Sequence, residues 1–101
     1  MKKKFTITVT QEVEVTLDLA KFDETFIREY AQAIHPLHTV EDHAKFLASM
    51  CVRGFVSESD PEAFIEGYGR KSEMGIATKF VRGSLQLGTV KAEFVAAGVK
   101  I

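Results

Sequence analysis

Three histidines, one cysteine and one basic aromatic loop are the residues of this chain whose types suit chemistry. His35, His38 and His43 share the stretch His35-Pro-Leu-His38-Thr-Val-Glu-Asp-His43. Imidazole binds zinc and related metals, and Glu41 or Asp42 would add oxygen. The spacing matches no standard zinc pattern, and three ligands without a fourth make a weak site. The three stand as weak metal candidates, and no metal is expected. The structural alternative puts His38 just before a helix cap at Thr39 and His43 at the fourth helical position, where the two would pack as a staple. Cys51 lies on nearly the same helix side as His43, which allows a thiol–imidazole pair. A lone Cys within an apolar stripe reads instead as core, and no third orienting group or oxyanion loop accompanies it. Ser49, Ser57, Ser59 and Ser84 lack any nucleophile-elbow context. The chain therefore reads as a non-enzyme with no catalytic residue and no cofactor.

The stretch Gly67-Tyr68-Gly69-Arg70-Lys71 suggests binding. Glycines free the backbone, Tyr68 would stack on a base, and Arg70 and Lys71 would meet phosphate. Lys79 and Arg82 on the following segment extend a small nucleic-acid face. Glu66 and Glu73 flank this loop, and no RNP-type, GXXG, P-loop or dinucleotide pattern is present. The alternative is a helix stop at Gly67 followed by a turn into a strand. Phe46, Phe55 and Phe64 read as core, with one of them open to serve as an interface anchor.

The elements that must position these residues follow from periodicity. Phe5, Ile7, Val9, Val13, Val15, Leu17 and Leu19 alternate with polar residues, with only Gln11 breaking the odd set. Period two marks a strand with one buried face. At ~16 residues it would be long, and a bulge fits near Gln11-Glu12. Phe22, Phe26, Tyr30 and Ile34 form a helical stripe, capped by Asp23 or Asp18 and ended by Pro36. Thr39-Val-Glu-Asp42 begins a second helix as a capping box, and Gly54 stops it. Asp60-Pro61 predicts a short third helix ending at Gly67. Ile76 to Val81, Leu85 to Leu87 and Val90 to Val99 read as strands, with turns at Gly83-Ser84 and Gly88-Thr89, one of them a hairpin and the other a bulge. The predicted class is α+β. The long first strand and two or three C-terminal strands form an antiparallel sheet, with two main helices on one face, in the order β-α-α-(short α)-β-β.

The length of 101 residues suits a single domain over 1–101. The 13 basic and 14 acidic side chains nearly cancel, which disfavours a dedicated polyanion binder. Charge is uneven along the chain. Residues 31–67 hold two basic and six acidic side chains, and residues 68–101 hold six basic and two acidic. Complementary helix and sheet surfaces explain this, as would a basic β-face meeting an anionic partner. One Cys excludes an internal disulfide and favours a reducing compartment. No stretch reaches the ~20 apolar residues of a membrane span. The segment after Lys2-Lys3-Lys4 alternates rather than forming a signal core, and no lipidation signal is present. A cytoplasmic protein with no membrane partner is expected.

Val40-Glu-Asp-His-Ala44, Arg53-Gly54, Phe64-Ile-Glu-Gly-Tyr-Gly69 and Met74-Gly-Ile76, behind the long first strand and Phe26, resemble small uncharacterised proteins of phages and prophages. The resemblance covers about residues 5–80. It implies a mobile-element accessory protein in the host cytoplasm that acts by binding a bacterial host protein or complex. An inhibitor of a defence system such as CRISPR is one example. A long strand with an open edge suits such pairing, and suits a homodimer through sheet edges equally. The alternatives are a nucleic-acid-binding module using Tyr68, Arg70, Lys71, Lys79 and Arg82, and a small phage structural or assembly protein.

Overall fold

The alternating pattern of the first nineteen residues folds as two strands that take different partners. The computed structural model describes residues 1–95. The elements run β1 (Lys2–Thr10), β2 (Val13–Leu17), α1 (Glu24–Ala33), α2 (Val40–Val52), β3 (Phe64–Ile65), β4 (Gly69–Arg70), α3 (Lys71–Met74), β5 (Ile76–Phe80) and β6 (Gln86–Val95). The fold is α+β. The strands pair antiparallel as β1–β6, β2–β5 and β3–β4. The described residues thus hold three two-stranded sheets rather than one larger sheet. The expectation of a strand reaching Val99 lies, for residues 96–99, outside the described residues.

The division between β1 and β2 falls at Gln11-Glu12, where a bulge was expected. Ser84 Oγ accepts from Gln11 Nε2 at 2.8 Å and from the Glu12 backbone N–H at 3.1 Å. In the turn between β5 and β6, Gly83 takes φ +77°, which glycine adopts without a Cβ penalty. The chain divides into two compact units. One comprises Met1–Glu12 and the described chain from Arg82, the other Val13–Val81.

The first unit is the β1–β6 ribbon. Its register runs from Lys2↔Val95 to Thr10↔Gln86, with an irregularity between Thr6 and Ile7. Thr6 faces Lys91 and Ile7 faces Thr89, so Val90 is the extra residue of a bulge. No hairpin forms at Gly88-Thr89, because β6 continues through both residues. Gly83-Ser84 is not a hairpin either, since β5 and β6 pair with different strands. Every residue of β1 is exposed, against the expected buried face. A two-stranded ribbon has no second layer of its own to cover its apolar side.

The second unit holds the core. Val13, Val15 and Leu17 of β2 are half-buried against it, while Glu14 and Thr16 face out. Its buried residues are Phe22, Tyr30, Leu47, Cys51, Val56, Ile65, Tyr68 and Ile76. Asp23 Oδ1 accepts from Phe26 N–H at 2.8 Å and caps α1, a contact of the kind worth about 1 kcal/mol. Thr39 Oγ1 accepts from Asp42 N–H at 3.0 Å and caps α2. At the far end of α2, Gly54 (φ +76°) closes a Schellman turn. There Phe55 N–H donates to Met50 O at 3.0 Å and Gly54 N–H to Cys51 O at 3.1 Å.

The predicted helix from Asp60 to Gly67 is absent. Asp60 does start a turn, accepting from Glu62 N–H on its side chain and from Ala63 N–H on its carbonyl. The chain then enters the β3–β4 hairpin, and the helical turn comes later as α3. Phe64 and Ile65 prefer a strand. Gly67 (φ +89°) lets the hairpin pass Tyr30 and Ile34, since a Cβ there would meet Ile34 Cδ1 at 2.8 Å.

Candidate functional site

His43 sits at the centre of the second unit with no solvent exposure. Its ring packs edge-on to Tyr30 at 4.7 Å and to Tyr68 at 5.6 Å, with Phe22 and Phe26 at 5.6 and 5.8 Å. The helical stripe of α1 supplies Phe26 and Tyr30, and the β3–β4 turn supplies Tyr68. His43 Nδ1 lies 2.6 Å from the Tyr68 hydroxyl. Among the described residues, no hydrogen-bond partner is placed for the buried His43 Nε2. Burial holds the His43 pKa below its ordinary value, opposed in part by the Asp42 charge. Burial, with the Tyr30 phenol alongside, drives the Tyr68 pKa far above the ordinary tyrosine range. Both groups are thus held in their neutral forms, which suits a packed core.

The three histidines do not converge. His35 is exposed and lies against the Phe46 ring at 5.3 Å. His38 is exposed, and its backbone N–H reaches Asp42 Oδ2 at 3.3 Å. His43 takes its partners from α1 and Tyr68 rather than stapling to His38. Among the described residues no group of three His, Cys, Asp or Glu side chains is placed to hold a metal. Cys51 is a buried free thiol in the core.

The five residues of the expected nucleic-acid face differ in their surroundings. Tyr68 is buried and committed to His43, so it offers no ring to a base. Lys71 is 1% exposed. Its ammonium donates to Ser57 O at 2.6 Å, Glu58 O at 3.3 Å and Thr78 Oγ1 at 2.7 Å. Those three acceptors match the three donors of an ammonium. Lys71 therefore ties the Ser57–Glu58 loop to β5, and meets no phosphate. Lys79 is exposed but pairs across the sheet with Glu14 at 3.4 Å. Arg70 and Arg82 are exposed, and Arg82 belongs to the other unit. Within the second unit, Lys71 is thus buried and Lys79 paired, which leaves Arg70 as the exposed basic residue of that stretch.

Two apolar surfaces stand out instead. The first is a groove of about 550 Å³ in the second unit, a size typical of sites that accept small apolar groups. Ile34, Phe46, Met50 and Phe55 line it, with Arg53 and Glu66 as its charged members. Arg53 stacks on the Phe55 ring at 4.8 Å. Phe55 and Phe64 are both exposed, where a single open phenylalanine was expected, and only Phe46 packs against the core.

The second surface is one face of the β1–β6 ribbon. Phe5 is 57% exposed, Ile7 45%, Val9 59% and Leu87 72%. Phe5 pairs with Ala92 and Val9 with Leu87 across the ribbon, so these side chains share a face. Alternation in the sequence placed Phe5, Ile7 and Val9 on one face. What it could not show is whether anything covers that face, because cover depends on layers far away in the chain.

No described helix is long and apolar enough to cross a membrane. Comparison with protein-family models, with curated proteins and with solved structures finds no match for this chain.

Proposed function

We propose that this chain is a binding protein that docks on a bacterial host protein in the host cytoplasm through the apolar face of its β1–β6 ribbon. The observation that carries this reading is the exposure of Phe5, Ile7, Val9 and Leu87 on one face of a two-stranded sheet. Clustered exposed apolar residues mark interaction surfaces, and an uncovered ribbon gains stability from any layer added to it. The resemblance to phage and prophage proteins supports a host target, with inhibition of a defence system such as CRISPR as the effect. Sheet edges leave room for a second copy as well. The assembly-protein alternative would use the same surface for self-association.

The test is a tagged pull-down from bacterial lysate, with and without nuclease, using the native chain and Ile7→Glu. A stoichiometric protein that survives nuclease and is lost with Ile7→Glu is the expected result. Capture that Ile7→Glu leaves intact would overturn the assignment of the face. Material lost on nuclease treatment would favour the nucleic-acid alternative, resting then on Arg70, Lys79 and Arg82.

A further inference from the structure

We infer that β1 pairs antiparallel with β1 of a second copy, with Ile7 on the two-fold axis, to form a four-stranded sheet β6-β1-β1-β6. This rests on the proposed binding role of the ribbon and names one occupant of its edge. In the described sheet β1 has a strand along one edge only, and all of its residues are exposed.

The sequence of β1 is close to a palindrome about Ile7: Phe5-Thr6-Ile7-Thr8-Val9. In an antiparallel pair centred there, Phe5 lies opposite Val9 of the second copy and Ile7 opposite Ile7. On the other face Thr6 lies opposite Thr8. Such apolar and Thr–Thr pairs are the favourable cross-strand units of a sheet. The charges follow the same symmetry. Lys2, Lys3 and Lys4 fall opposite Glu12, Gln11 and Thr10 of the second copy, so no lysine faces a lysine and Lys2 faces a carboxylate.

Other registers fare worse. A shift of one residue sets apolar against polar, because side chains alternate with period two. Centring on Thr6 puts Lys3 opposite Val9, and centring on Thr8 puts Phe5 opposite Gln11. A symmetric, self-complementary edge is what a two-fold dimer requires, and an unrelated partner strand would gain nothing from the palindrome. Four strands also pass the minimum for a self-standing sheet. The dimer would set two copies of the Phe5–Ile7–Val9 face side by side, doubling the surface offered to a host protein.

Light scattering on the purified full chain, joined to cysteine cross-linking, tests this. Native protein at micromolar concentration is expected at twice its 11.2 kDa mass. Residues paired on an antiparallel ladder have Cα atoms about 4.5–5.5 Å apart, within the ~4.4–6.8 Å that a disulfide spans. Ile7→Cys is therefore expected to form a covalent dimer on mild oxidation, while Thr6→Cys and Thr8→Cys are not. A mixture of Phe5→Cys and Val9→Cys chains should cross-link where neither does alone. All five positions are exposed, so the substitutions leave folding intact. A monomeric mass, or cross-linking at 6 or 8 in preference to 7, would overturn the proposal. A monomer that still captures a host protein sinks only the dimer, and a dimer that captures nothing sinks only the host-binding role.

Discussion

The Tyr68 hydroxyl and His43 Nδ1 meet at 2.6 Å inside a cage of four aromatic rings. This bond joins α2 to the β3–β4 hairpin. Tyr68 keeps its proton, since burial raises its pKa. It therefore donates, Nδ1 accepts, and the imidazole proton resides on Nε2. Nitrogen NMR of His43 is expected to show that tautomer. Tyr68→Phe leaves Nδ1 buried and unsatisfied and should cost about 1–3 kcal/mol in urea unfolding. An unchanged midpoint would mean the bond contributes nothing.

The same burial gives the protein a pH dependence of definite sign. The His43 pKa in the folded chain lies below its ordinary 6.5. The unfolded chain thus binds the proton first. Its contribution to stability is whole above pH 6.5 and is lost as pH falls through the folded value. The urea midpoint should start to fall just below pH 6.5, and His43→Leu should flatten that part of the profile. A native curve that is flat there would exclude a buried neutral His43.

Lys71→Met tests the buried ammonium. It removes three donors from Ser57 O, Glu58 O and Thr78 Oγ1 while keeping most of the side-chain volume. A loss of about 2 kcal/mol is expected, the scale of charge-assisted hydrogen bonds. Arg70→Ala next to it, on an exposed side chain, should stay within about 0.5 kcal/mol. Equal effects at both positions would contradict a structural role confined to Lys71.

Two glycines of like conformation should differ in tolerance. Gly54 (φ +76°) has open space where a Cβ would sit, whereas at Gly75 (φ +70°) a Cβ would overlap the Asp18 side chain. Gly54→Ala pays only the left-handed penalty of about 1–2 kcal/mol. Gly75→Ala adds the clash and strains the 2.9 Å bond from Asp18 N–H to Gly75 O. Thermal unfolding should rank it clearly lower. Equal midpoints would show that Asp18 moves aside at no cost.

What the sequence made legible was local. Asp23, Thr39 and Gly54 act as caps where their types and spacing predicted, because a cap needs only its own few neighbours. Phe26 and Tyr30 of α1 and Leu47 and Cys51 of α2 face the core for the same reason, whereas Ile34, at the end of the predicted stripe, is exposed. The Gln11-Glu12 irregularity was visible as a break in parity, although the Ser84 hydroxyl that holds it lies far away in the chain. The loop from Gly67 to Lys71 misled because Tyr68 and Lys71 carry types common on nucleic-acid surfaces. Only the fold reveals His43 beneath one and the Ser57–Glu58 carbonyls beneath the other. The ribbon misled in the opposite direction, since alternation reports that a face is apolar and says nothing of what lies above it.

The pairing of β1 with β6 also orders events during synthesis. β1 leaves the ribosome before the other described strands, and its partner Gln86–Val95 is nearly the last part of the described chain to follow. The Val13–Val81 unit is one continuous run of sequence and is free to fold in the interval. For that time an alternating apolar strand waits unpaired, exposed to any neighbouring nascent chain. Lys2, Lys3 and Lys4 at its head supply the charge that guards such a strand. Their removal is expected to lower the soluble yield before it alters the finished fold.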